Sequence, residues 1–220
     1  MQMRFKDVKD ILTIDDNELK LSDRATEINY AVDNKLIREI VSSLKHTIEK
    51  NNITALSAPA IGYEYRIFCI KFNEEIKTFI NPIIMDAKGL QLSREKCTSI
   101  PNKEFIIPRN NDLTVAYQRP TGKIETRQIV GLAALVFQHE MQHLDGILLS
   151  DLGLEIDSQW DEATDDERAE VLKEFLDSLD LYSSELEKEI QTDPELKQMS
   201  DAIDFMASVQ TGETKLMGIK

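Results

Sequence analysis

The stretch LVFQHEMQHLDGILLSD, from Leu135 to Asp151, holds two of the chain's three histidines four residues apart, with a glutamate beside the first. On a helix, residues at i and i+4 lie on one face, so His139 and His143 can present two imidazoles to one ion. Glu140, rotated by about 100° from His139, can reach a water on that ion without being a ligand itself. This H-E-x-x-H arrangement recurs on unrelated folds, and a partly apolar helix can carry it as plain core. Two imidazoles do not complete a site; a third protein ligand is needed, with a position left open for water. The candidate is Cys97 in SREKCTSIPNKEF, because a thiolate suits iron or zinc and the adjacent Lys96 favours its ionised form. Cys69, inside the apolar run IFCIK, reads as a small core residue. His46 lies among polar positions of a helix and reads as a solvated or locally bonded side chain.

Several elements must position these residues. Residues 32–50 place Leu36, Ile37, Ile40, Val41, Leu44 and Ile48 at helical spacing, which predicts an amphipathic helix. From Ile53 onward the runs RIFCI, KTFINPIIM, EFIIP and LTVAY, separated by Asn, Pro and Gly signals, predict several short strands. The stretch QIVGLAALVFQHEMQHL then reads as a long apolar-periodic helix, closed by Gly146 as its C′ residue. The expected fold is α+β, with short, mostly antiparallel strands packed around a buried H-E-x-x-H helix. An N-terminal amphipathic helix and a helical C-terminal extension complete it.

Taken together, these residues resemble the peptide deformylases. The family's E-G-C-L-S segment is matched by EKCTS, Glu95 to Ser99, its H-E-x-D-H helix by QHEMQH, and its G-x-G-L-A-A-x-Q segment by ITALSAPA, Ile53 to Ala60. INPII, IIPR and HLDGILLSD add to the likeness, which covers roughly residues 10–153. The resemblance implies removal of the formyl group from N-formylmethionyl peptides by a divalent ion, natively ferrous iron, with zinc or nickel as substitutes. It implies that Cys97, His139 and His143 hold the ion. Glu140 would be the general base toward a water and then the proton donor to the leaving amine, and the Thr98 backbone N–H would donate to the developing oxyanion.

The chain also departs from the family pattern. The oxyanion-binding glutamine is Ala60, the glycine before the cysteine is Lys96, and the aspartate of H-E-x-D-H is Gln142. Glu104 stands where many members carry a substrate-contacting arginine, while Glu95 and Arg109 keep the family's buried pair. Two readings follow: an active deformylase of altered efficiency, of the viral or accessory kind, or a weak or inactive metal-binding scaffold that binds a partner. A peptidase using H-E-x-x-H in the zincin manner is the third, disfavoured because Cys97 matches so well in context.

Charge divides the chain. The net charge is −14, yet residues 1–150 carry 20 acidic and 20 basic side chains, and residues 151–220 carry 20 acidic and 6 basic. Such a surface repels phosphates, so direct nucleic-acid binding is not expected and a protein partner is. A deformylase-like domain is expected at 1–153 and an acidic helical extension at 154–220. In the extension, Thr164 and Glu167 fit a capping box ahead of the stripe Val171, Leu172, Phe175, Leu176 and Leu179. A second start is expected at Asp193 and Pro194, ahead of Leu196, Met199, Ile203 and Met206. The N-terminus shows no signal-like apolar region and no window nears the roughly 18 apolar residues of a membrane span, so a soluble protein of the bacterial cytoplasm, one a virus could encode, is expected.

Overall fold

The computed structural model describes residues 8–72 and 75–192. The chain divides into two compact units, the first ending at Asp157 and the second beginning at Ser158. The first contains α1 (Ile14–Ser22), α2 (Asn34–Asn51), β1 (Ala55–Ser57), a 3-10 turn (Pro59–Ile61), β2 (Ile67–Phe72), β3 (Glu75–Cys97), β4 (Ile100–Gln118) and β5 (Ile124–Val130). It continues with α3 (Leu132–Leu144), α4 (Leu149–Leu152) and β6 (Leu154–Ile156). The sheet runs β1-β2-β3-β4-β5, with β6 joined to β4, and every pairing between these strands is antiparallel.

The strands are not all short. β3 has 23 residues and β4 has 19, so EFIIP and LTVAY lie on one strand rather than two. The supposed breakers bend β3 instead of ending it. Asn81 takes φ 46, and the register shifts between Ile80 and Ile83 and again between Ile84 and Asp86, as bulges do. Pro82 is tolerated because β2 stops pairing at Ile80, leaving this part of β3 bonded to β4 alone among the described residues. The helix at the motif is also shorter than expected. Gln128, Ile129 and Val130 belong to β5, and Gly131 at φ 63 separates that strand from α3.

Burial explains the layering. α2 turns Ile37, Ile40, Leu44 and Ile48 onto an apolar cluster with Leu56, Ile67 and Cys69 of β1 and β2. α3 packs by Phe137, whose ring lies 5.0 Å from Phe68 and 5.2 Å from Phe79, edge-on to both. Fully burying such a ring contributes about 1.5–3 kcal/mol. α3 then closes on Gly146, at φ 71, where the Ile147 amide donates to Gln142 O at 2.9 Å. A side chain at Gly146 would strike the Ser22 carbonyl, so only glycine lets the motif helix end here.

Sequence reading missed α1, although Thr13 and Asp16 form its capping box. The chain entering it reaches two parts of the molecule: the Leu12 amide donates to Ala60 O at 2.8 Å, and the amide of Ile14, the helix's first residue, donates to Ser99 O at 2.9 Å. Leu21 of α1 joins Cys97, Ile100, Phe105, Leu148 and Leu149 in a third apolar cluster. β6 pairs with Glu104–Ile106 and buries Ile156, so the unit continues past the boundary expected at 153.

The second unit contains α5 (Ser158–Glu162) and α6 (Asp165–Thr192). Its capping box is present: Thr164 donates to Glu167 Oε2 from both its amide (2.8 Å) and its hydroxyl (2.7 Å), and accepts from the Glu167 amide at 3.3 Å. Val171 and Leu176 of the apolar stripe are exposed. The start expected at Asp193 and Pro194, with Leu196, Met199, Ile203 and Met206, lies outside the described residues. Among the described residues no helix is long and apolar enough to cross a membrane.

Candidate metal centre

Cys97 ends β3 immediately before the two-residue turn Thr98-Ser99, while His139 and His143 come from successive turns of α3. Their donor atoms all lie within 4.8 Å of one another, and Cys97 Sγ is 3.2 Å from His143 Nε2. One thiolate and two imidazoles fit a divalent ion of the iron or zinc type and leave a coordination position open. Behind them, Glu95 Oε2 lies 2.9 Å from His139 Nδ1, and the same carboxylate accepts two 2.9 Å bonds from Arg109. The pair fixes the ring's orientation and its tautomer.

Charge is arranged to suit an ion. Burial pushes the Cys97 thiol up, but hydrogen bonds with His139 and His143 outweigh it and hold the group down at about 5. His139 moves the other way: burial lowers it, and Cys97 and Glu95 more than reverse that. Burial also pushes Glu95 up, yet Arg109 and His139 hold it at about 2, so it is an anion at neutral pH. Glu140 is raised by burial, against the pull of His139 and His143. Cys69 differs in kind. It lies in the core of β2 beside Thr78, and burial pushes its thiol up to about 12, leaving no thiolate to offer.

A cavity of about 390 Å³ lies beside the three donors, lined by His139 and His143 and by Lys96 and Thr98 on either side of Cys97. Ile53, Leu132, Leu135 and Val136 are apolar residues of its lining, and Glu140 lines it as well. Ala60 reaches the cavity with only a methyl group and is 2% exposed. Lys96 lies outside the left-handed region, so the backbone before Cys97 has no need of the family's glycine. Glu104 accepts a 2.7 Å bond from Arg94, and Arg94 and Lys96 line the cavity. Gln142 does not line it, and its buried Oε1 has no hydrogen-bond partner. His46 stays away on α2, 3.4 Å from Ser42 Oγ. Sequence reading overlooked Ser57, a fully buried residue that lines the cavity.

The family model for polypeptide deformylase matches residues 8–157 and so stops where the first compact unit stops. The chain is similar to the peptide deformylase of Dictyoglomus turgidum, 32% identical over 148 residues, which are 67% of this chain and 94% of that protein. Among solved structures it is similar to the peptide deformylase of Thermotoga maritima, at 29% identity and a TM-score of 0.60 over 66% of this chain and 96% of that one. A probable peptide deformylase from synechococcus phage S-SSM7 aligns at 28% identity and a TM-score of 0.58, over 64% of this chain and 97% of its own.

Proposed function

This chain belongs to the polypeptide deformylase family, and we propose that it hydrolyses the formyl group from the N-terminal formylmethionine of newly made polypeptides. The observation that carries the reading is the clustering of the Cys97, His139 and His143 donor atoms beside a cavity that Glu140 lines together with the two histidines. The first three hold one divalent ion, ferrous iron natively, with zinc or nickel able to replace it. When bound, the ion supplies Lewis acidity that polarises a carbonyl and makes a water more acidic. Glu140 takes the proton of the attacking water and hands it to the methionine nitrogen as the C–N bond breaks, giving formate and a free amine. Its raised pKa suits a group that must both accept and return a proton. The Thr98 backbone N–H donates to the formyl oxygen, the apolar wall around Leu135 and Val136 takes the methionine side chain, and Glu95 and Arg109 keep His139 in place.

Efficiency is altered because Ala60 brings no donor to the cavity, and losing one oxyanion donor typically costs about 10² to 10³ in rate. That methyl group also favours a second reading, in which the domain is a metal-binding scaffold with little or no turnover. Formate release from a formyl-Met peptide by iron-loaded protein, purified without oxygen, separates the two. Slow turnover that disappears in Glu140→Ala while metal is retained supports the enzyme. Parent and variant behaving alike would leave the scaffold. The acidic second unit serves either role as an arm for a protein partner rather than for nucleic acid or a membrane.

A further inference from the structure

Ser57, the last residue of β1, is 0% exposed, and its hydroxyl has no hydrogen-bond partner. Glu140 Oε2 is also buried without a well-formed hydrogen bond, although Ser57 is near enough to stabilise its anion, and both residues line the cavity that His139 and His143 line as well. Buried polar atoms are almost always satisfied, so each orphan needs an explanation. A donor and an acceptor side by side on one cavity wall, with no well-formed bond between them, suit a ligand that carries the complementary pair. A formamide carries that pair, with an acceptor at its carbonyl oxygen and a donor at its N–H.

Position matters as much as chemistry. Ser57 lies three residues before Ala60, at the entry to the same 3-10 turn, so both side chains reach the cavity from one short stretch of chain. Ala60 can donate nothing there; Ser57 can. Resting on the deformylase reading, we propose that the Ser57 hydroxyl is the side-chain donor to the formyl oxygen as it becomes an oxyanion, the part a side-chain amide at position 60 would otherwise take. Ser57 keeps its own proton throughout. The water oxygen bonds to the formyl carbon, the C–N electron pair leaves with nitrogen, and the proton nitrogen receives comes from Glu140. Ser57 lies close enough to Glu140 to stabilise its anion, and rotation about χ1 lets the hydroxyl serve the substrate instead.

The test uses the full chain loaded with iron or zinc, in four forms: parent, Ser57→Ala, Ala60→Gln and the double variant. Kinetics on a formyl-Met tripeptide are read alongside metal content and the affinity for methionyl hydroxamate, a probe with an oxygen at the carbonyl position. Ser57→Ala is expected to lower kcat about 100-fold with KM and metal content unchanged, and to weaken the hydroxamate about 10-fold. Ala60→Gln placed in the Ser57→Ala background is expected to restore kcat at least several-fold. A Ser57→Ala protein within about twofold of the parent in kcat and hydroxamate affinity would overturn the proposal, as would a change confined to the pH profile, which marks action through Glu140 alone. A parent that releases no formate sinks the deformylase reading separately. The hydroxamate still decides for Ser57 in that case: weaker binding by Ser57→Ala supports the assignment, and equal binding overturns it.

Discussion

Nδ1 of His139 lies 2.9 Å from Oε2 of Glu95, which leaves Nε2 as the nitrogen for an ion. Glu95 is itself gripped by Arg109, so the order runs from guanidinium to carboxylate to imidazole. Partners of this kind set the basicity and aim of a ligating histidine.

Glu95→Gln should therefore lower zinc affinity by about 10- to 100-fold, measured in competition with a chromophoric chelator. The same change leaves Arg109, at 3% exposure, without its anion, so the metal-free variant should lose roughly 3 kcal/mol or more in denaturant unfolding. Unchanged affinity would show that His139 is aimed by its helix alone.

Acid should expose the same pair. Glu95 titrates at about 2 in the folded chain against an ordinary 4.5. A carboxyl lowered on folding contributes stability that is fully present above the unfolded value and is lost as pH falls toward the folded one. The window is thus pH 4.5 down to 2, and the contribution at stake is roughly 3 kcal/mol. Unfolding curves of the metal-free parent and of Glu95→Gln should converge across that range. A constant gap would place the acid sensitivity in other groups.

How far the site was legible follows from the kind of signal each part leaves. Cys97, His139, Glu140 and His143 are residue types with few other uses at that spacing, and helical periodicity marked α2 because its apolar residues recur every three or four positions. The long strands were hidden because Asn81, Pro82 and Gly89 read locally as stops. Asn81 and Pro82 instead sit at a bulge, Gly89 lies within regular pairing to β4, and the strand can carry them because β2 ends its pairing at Ile80, which is a tertiary fact. Ser57 left no mark at all. One hydroxyl in ALSAPAI is ordinary until the packing of α3 over β1 buries it beside Glu140 on the cavity wall.

The two cysteines should separate cleanly. Cys97→Ala removes a soft ligand already held as a thiolate and should lower metal occupancy at least 10-fold, as should His143→Ala. Cys69→Ala should keep the metal and cost only about 1–2 kcal/mol of stability for its lost packing in a fully buried position. Metal analysis of the purified variants, paired with thermal melts, checks both. Equal metal loss from Cys69→Ala would mean the wrong thiol had been assigned.

Where the chain is cut should decide what the extension is for. Every residue assigned to the cavity precedes Asp157, and the family match also ends there. Val171 and Leu176 on α6 are exposed, as suits an arm that meets a partner. Truncation after Asp157 should therefore leave a soluble, metal-loaded protein that melts within a few degrees of the parent. Truncation after Gly153 should not, because it deletes β6, whose residues pair with Glu104, Phe105 and Ile106 and bury Ile156. Losing that strand leaves the β6-facing edge of Glu104–Ile106 unpaired while β3 still holds the other edge, and about 2–4 kcal/mol with a clear drop in Tm is expected. Thermal melts and metal analysis of the two truncated proteins make the comparison. If the longer one also aggregates or melts far below the parent, the stripe of α6 is part of the folded core and the arm is the wrong description.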